Sequence, residues 1–376
     1  MRKLSVLFFV FLLIVVPVHA VTTLAASLNG ANERPGPGDP DGSGFALAII
    51  DADAGTVRFA LFFVNVPSPT AAHIHRGTSD VAGPIVVNFA PTFENGTASG
   101  TITTTNTALL NEIIATPGGF YVNIHSVEFP AGAIRGQLVA AASDATDAVF
   151  PIAGRVAGAN GTFYRTDVSL LNLSGEATSV VFEFYPSGHT GNDGPRPTRA
   201  VELNANEQKT LNGDVLQNLL GIGDGTGAIR IIATRNVIAV ARIYNDQRAR
   251  DGGTLSQFVA AMSGTSNRTT GALPMLSNAT GVAGLGYRTN VGWFNSGGSP
   301  VTATFRAHDP SGTVLHESTR VIAPRSQLQV PLADLIPGLH PLEDLYVTFT
   351  TSGGPLYVYA SVVDNTNGDA IFIPAQ

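Results

Sequence analysis

Cysteine is absent from all 376 residues. That excludes disulfide frameworks, thiolate metal sites and a lipid anchor carried on an N-terminal cysteine. Lysine is nearly absent too, and after Lys3 the only one is Lys209. From residue 21 onward, 19 basic residues, nearly all singly scattered arginines, face 28 acidic ones, a net charge of −9. With no basic patch, nucleic acid and anionic membrane surfaces are not expected partners. After residue 20 no stretch approaches the roughly twenty apolar residues of a spanning helix, so no membrane span is expected.

The first twenty residues read as a secretory signal. Arg2 and Lys3 precede an apolar run from Leu4 to Val18, and Val18-His19-Ala20 is a small-residue cleavage site. The chain after it is expected to begin near Val21 and to be secreted or periplasmic, in a background of bacterial-looking composition. Few charges, with abundant Gly, Thr, Ala and Val, favour an all-β fold over a helical one.

Two small, polar, pattern-free joints, at 141–147 and 263–270, divide the chain. They predict three β-sandwich domains at 21–141, 148–262 and 271–376, a usual size for a sandwich. In the first, Phe45, Leu47 and Ile49 alternate with smaller residues, and Val57, Phe59, Leu61 and Phe63 do so across the turn Asp51–Gly55, a hairpin pattern. Further strands are expected at 71–75, 85–89, 98–104, 120–125 and 133–138, with a helical turn at 108–114.

The second and third segments repeat each other. Tyr164-Arg165-Thr166-Asp167-Val168 recurs 123 residues later as Tyr287-Arg288-Thr289-Asn290-Val291, and Asn172 recurs as Asn295. Short helical connections near Asp214–Leu220 and Ala333–Leu339 match, and hairpins at 228–244 and 345–363 are expected to close each copy. The pair reads as two tandem immunoglobulin-like sandwiches, and the repeated Tyr-Arg-Thr-Asp/Asn elements read as structural strand starts.

The residues with most chemical content are His73 and His75, in Ala72-His73-Ile74-His75-Arg76-Gly77, and His125, in Tyr121-Val122-Asn123-Ile124-His125-Ser126. On a strand, residues i and i+2 share a face about 6.5 to 7 Å apart, so two imidazoles reach one ion. Ile74 then points to the core, and Tyr121, Asn123 and His125 form a polar face. Three neutral imidazoles without thiolates favour copper or zinc. The competing reading is three ordinary polar-face histidines. Asp39–Gly44 and Asp51–Gly55 have alternating oxygen ligands but complete no EF-hand loop, and Gly221–Gly227 lacks the Lys-Ser/Thr of a phosphate loop. No Gly-x-Ser-x-Gly elbow is present, so no enzyme is expected.

The first segment resembles the CHRD domain of chordin and of secreted bacterial proteins. The match is carried by Leu28-Asn29-Gly30-Ala31-Asn32-Glu33-Arg34-Pro35, Gly44, the two histidine segments, and Gly132-Ala133-Ile134-Arg135-Gly136-Gln137-Leu138, where Ala133 replaces the usual acidic residue. It implies an extracellular β domain without established catalytic activity. A weaker resemblance is to copper/zinc superoxide dismutase, whose copper strand also carries His-x-His. Lacking the bridging histidine and the cysteine pair, it implies copper binding rather than dismutation. The expected function is a secreted, non-enzymatic binding protein holding copper or zinc through His73, His75 and His125. The alternative is a metal-free adhesion module for an extracellular protein or surface ligand.

Overall fold

A computed structural model describes residues 22–93, 96–140, 145–158, 161–189, 196–248, 253–279, 286–338 and 342–376. The signal expected at residues 1–20 lies outside them. Among the described residues, no helix is long and apolar enough to cross a membrane.

The fold is all-β, in three antiparallel sheets. The first holds β1 (Thr22–Asn29), β2 (Ser43–Asp51), β3 (Thr56–Val64), β4 (Pro69–Arg76), β5 (Ile85–Asn88), β6 (Thr97–Thr103), β7 (Phe120–Ser126), β8 (Ile134–Gln137) and β9 (Val139–Ala140), with α1 (Thr107–Ala115) before β7. The second holds β10 (Thr146–Ala157), β11 (Phe163–Asn172), β12 (Thr178–Pro186), β13 (Thr198–Leu203), β14 (Gln208–Leu211), β15 (Gly225–Ala233), β16 (Val237–Asp246), β17 (Thr254–Ala260) and β18 (Met262–Ser263), with α2 (Val215–Asn218) before β15. The third holds β19 (Thr270–Asn278), β20 (Tyr287–Asn295), β21 (Val301–His308), β22 (Val314–Ile322), β23 (Ser326–Pro331), β24 (Leu342–Ser352), β25 (Tyr357–Asp364) and β26 (Ala370–Pro374), with α3 (Leu332–Leu335) before β24.

The repeat seen in the sequence is a repeat of topology. The second sheet runs β13-β12-β15-β10-β11-β16-β17 with β14 beside β11, and the third runs β22-β21-β24-β19-β20-β25-β26 with β23 beside β20, strand for strand the same order. The recurring motif residues make recurring bonds. Thr166 Oγ1 accepts from Gly154 N at 2.8 Å and donates to its carbonyl at 3.0 Å; Thr289 Oγ1 does the same with Ser277 at 3.1 and 2.7 Å. Asn172 donates to the carbonyls of Glu176 and Asn204, and Asn295 to those of Ser299 and Ala323.

One expectation is corrected. The segments 228–244 and 345–363 are not hairpins: β15 pairs with β10 and β12 while β16 pairs with β11 and β17, and β24 and β25 part in the same way. Alternation predicts a strand but not its partner, and β15 from Gly227 to Ala233 is buried on both faces, as suits a strand covered on both sides. Within the joint at 263–270, Arg268 and Leu356 exchange two backbone hydrogen bonds of 2.9 Å.

The hairpin β2–β3 is present in full register from Ser43↔Val64 to Asp51↔Thr56. Its two faces do different work. Ala46, Ala48, Ile50, Phe59 and Leu61 fill the core of the first sheet, whereas Leu47, Ile49, Ala60 and Phe62 pack on Val181 and Ile232 of the second. Second and third sheets meet through Val149, Tyr185, Phe294 and Tyr357. Phe182, fully buried in the second core, should cost about 3 to 5 kcal/mol when cut to alanine. Urea unfolding measures it, and a loss under 1 kcal/mol would contradict this packing.

Candidate metal centre

Strand β4 lies antiparallel to β7 with His73 opposite Asn123, His75 opposite Tyr121 and Ala71 opposite His125. The period-2 rule puts all three histidines on one face, with small Ala71 leaving space beside His125. Ile74, Val122 and Ile124 fill the core on the other face. The His73 ring lies 5.4 Å from that of His75 and 5.0 Å from that of His125.

One nitrogen from each ring lies within 4.8 Å of the others. The His75 Nδ1 sits 2.8 Å from the Gly83 carbonyl and the His125 Nδ1 sits 3.0 Å from the Pro130 carbonyl. A carbonyl only accepts, so each Nδ1 carries the proton and each Nε2 presents a lone pair. His73 Nδ1 lies 3.1 Å from His125 Nε2 and donates to it, while His75 Nε2 is buried without a hydrogen-bond partner. Moving the His73 proton to its Nε2 frees a third lone pair, on Nδ1, within the cluster. Tetrahedral bonds of 2.0 to 2.1 Å require nitrogens about 3.3 Å apart. The His73–His125 pair, at 3.1 Å, is there already, and the full set lies within 4.8 Å.

The polar face is largely closed to solvent. His73 and His75 are 8% and 7% exposed, and the residues beyond β4, through Gly83, lie beside His75. Burial, then the neighbouring His125 and His75, lowers the His73 pKa to about 4. Burial also lowers His75, aided by His125 and Arg135 and opposed by the Gly83 bond, and it lowers His125 against the Pro130 bond. All three are therefore neutral imidazoles, the ligating form, at neutral pH.

Sequence reasoning missed the layer behind them. Arg135, 1% exposed, lies 3.4 Å over the centre of the Tyr121 ring, which stacks in turn on His75. It donates to the Thr78 carbonyl at 2.7 Å, and Gln137 donates to the Gly77 carbonyl at 2.9 Å. The pair thus anchors the loop that brings Gly83 to His75. A Cβ at Gly83 would fall 1.5 Å from the Arg76 carbonyl oxygen, so the loop needs glycine there. Glu33 is buried beside Arg135, and Gly132 passes so close that a Cβ would fall 2.4 Å from the Glu33 carboxyl carbon. Both residues stand in the glycine-bearing motifs at the two ends of the segment. A charged residue inside an apolar, glycine-flanked run was the available signal.

Burial raises the Glu33 pKa to about 7, against the opposing pull of Arg135. A carboxyl raised in the folded state gives its stability below the unfolded pKa near 4.5, and that stability is lost as pH rises to 7. Between pH 4.5 and 8 the stability of Glu33→Gln relative to the native chain should rise by up to about 3 kcal/mol. Urea midpoints at the two pH values measure this; a gap independent of pH contradicts it.

The other candidates are turn residues. Asp39 Oδ1 accepts from Gly42 N at 3.2 Å and Asp51 Oδ1 from Ala54 N at 2.8 Å, while Gly221–Gly227 leads into β15. Residues 24–138, which span the histidines and the Glu33–Arg135 layer, match the CHRD domain family. A comparison of the chain with curated proteins gives no match.

Proposed function

We propose that the chain is a secreted, non-enzymatic binding protein in which a CHRD domain, residues 21–141, holds one copper or zinc ion through His73, His75 and His125. The domains at 148–262 and 271–376, immunoglobulin-like in their architecture of packed antiparallel sheets, carry it. One observation carries the reading: three neutral imidazoles converge within 4.8 Å, and two have their outer nitrogens fixed on backbone carbonyls. Such outer bonds orient histidine ligands and raise their basicity. A bound ion would supply Lewis acidity or, as copper, a redox couple; the residues themselves orient and desolvate the ligand set. Water or an exogenous ligand completes the coordination.

The second reading is a metal-free adhesion module for an extracellular protein or surface. The 3.1 Å bond from His73 to His125 favours it, since two of the three rings satisfy each other unaided. The test is metal content of tag-free protein after challenge with copper or zinc and exhaustive dialysis. One ion per chain supports the first reading. No retained ion favours the second.

A further inference from the structure

Asn123 stands at the middle of the histidine triangle. In the β4–β7 ladder His73 lies directly opposite it, His75 lies on the adjoining diagonal, opposite Tyr121, and His125 follows two residues on along the same face of β7. Opposite side chains start about 4.5 to 5.5 Å apart and diagonal ones about 7 to 8 Å, so the three rings rise around the Asn123 amide. On its other side Asn123 faces Arg135 of β8.

The Asn123 side chain is 2% exposed, and nothing bonds its oxygen. Among the described residues eight buried side-chain polar atoms lack a hydrogen-bond partner, and four of them belong to this one layer: Glu33 Oε1, His75 Nε2, Asn123 Oδ1 and Arg135 Nη1. Leaving buried polar atoms unpaired is costly, so their concentration here marks a place built for a further group. The two neighbours of the amide fix its orientation. Asn123 favours the charged form of Glu33, which calls for a donor, and the charged form of His75, which calls for an acceptor. Its Nδ2 therefore faces Glu33 and its Oδ1 faces His75. The one proton of the neutral His75 ring is committed on Nδ1 to the Gly83 carbonyl, so two buried lone pairs, on His75 Nε2 and Asn123 Oδ1, point into the same space with no hydrogen between them.

We propose, resting on the three-histidine reading, that Asn123 is a fourth protein ligand of the ion and binds it through Oδ1. The set becomes three imidazole nitrogens and one amide oxygen. Glu33, accepting from Nδ2, makes Oδ1 more basic, as the Gly83 and Pro130 carbonyls do for His75 and His125. With water or an exogenous ligand in the remaining place the ion is five-coordinate, an arrangement open to zinc.

The test is a zinc titration of the full-length protein, isotope-labelled at asparagine and histidine and followed by NMR, with the Asn123 signal assigned by its loss in Asn123→Asp. The side-chain carbonyl carbon of Asn123 should shift downfield together with the three imidazoles and saturate at one zinc per chain. Imidazole shifts with an unmoved Asn123 carbonyl would overturn the fourth ligand and leave the three-histidine site standing. No saturable shift in any of the four would overturn both. In competition with a chelator, Asn123→Ala should bind zinc at least tenfold more weakly, whereas Asn123→Asp, which keeps an oxygen at the same reach, should bind at least as tightly as the native protein. Equal affinity of native and Asn123→Ala, or an Asn123→Asp as weak as Asn123→Ala, would overturn the role. The NMR measurement uses the native chain, so it decides even where Asn123→Ala fails to fold.

Discussion

His73→Ala and His125→Ala are each expected to abolish retention of copper or zinc, weakening affinity by roughly 100-fold or more, since removing a ligand should cost at least as much as removing an outer-shell partner. The two variants act on different parts of one triangle. His73 supplies Nδ1, and His125 supplies Nε2 with its own Nδ1 held by Pro130. Loss of either leaves two nitrogens, too few for a catalytic or structural zinc set. The pH dependence follows from burial. An ordinary imidazole begins to lose its metal to protons near pH 6.5, but the His73 pKa is lowered to about 4 and those of His75 and His125 are lowered as well. Retention should therefore extend below pH 6.5, failing toward pH 4. Equilibrium dialysis across this range measures it, and release centred on pH 6.5 would contradict the burial of the site.

The same depressed values bear on folding without metal. A histidine whose folded pKa lies below its unfolded value gives stability that is complete above pH 6.5 and lost as pH falls toward the folded value. Acid should therefore weaken the first domain through its histidines while relieving Glu33, whose shift has the opposite sign.

Arg135→Ala should be strongly destabilising for a change outside the apolar cores. The guanidinium is buried, stacked on Tyr121, bonded to Thr78 and set beside Glu33. Removing it at pH 8 leaves a buried carboxylate without its cation, a loss of about 3 to 5 kcal/mol. At pH 5 Glu33 is protonated in the native chain, so less electrostatic energy is forfeited and the loss should shrink. Metal affinity should fall about 10- to 100-fold, because the loop that presents Gly83 to His75 loses its anchor. Arg135→Lys should not restore it, since a lysine offers neither the flat stacking surface nor the fork. Urea unfolding at both pH values measures the first effect. A loss below 1 kcal/mol that is equal at pH 5 and 8 would contradict the coupling to Glu33.

Local signals carried much of this molecule in its sequence. Same-face spacing placed His73 and His75 together, alternation gave the β2–β3 hairpin, and the Tyr-Arg-Thr echo gave two copies of one topology. What was hidden depends on distant partners. Leu47 and Ile49 read as the core of a hairpin, and they are buried, but against Val181 and Ile232 more than 130 residues away. The strands β15 and β16 follow one another closely, yet cross to opposite sides, because both faces of β15 are covered. The face of β7 that bears Tyr121, Asn123 and His125 reads only as polar; the loop beyond β4, pinned by Arg135 and Gln137, makes it an interior. No period within one strand encodes such a roof.

X-ray absorption spectroscopy of the copper- or zinc-loaded full-length protein tests the central claim most directly. The account predicts three nitrogen scatterers at about 2.0 to 2.1 Å with the outer-shell pattern of imidazole, reduced in number or lost in His73→Ala. A shell of oxygen scatterers alone, or a spectrum unchanged in His73→Ala, would contradict it.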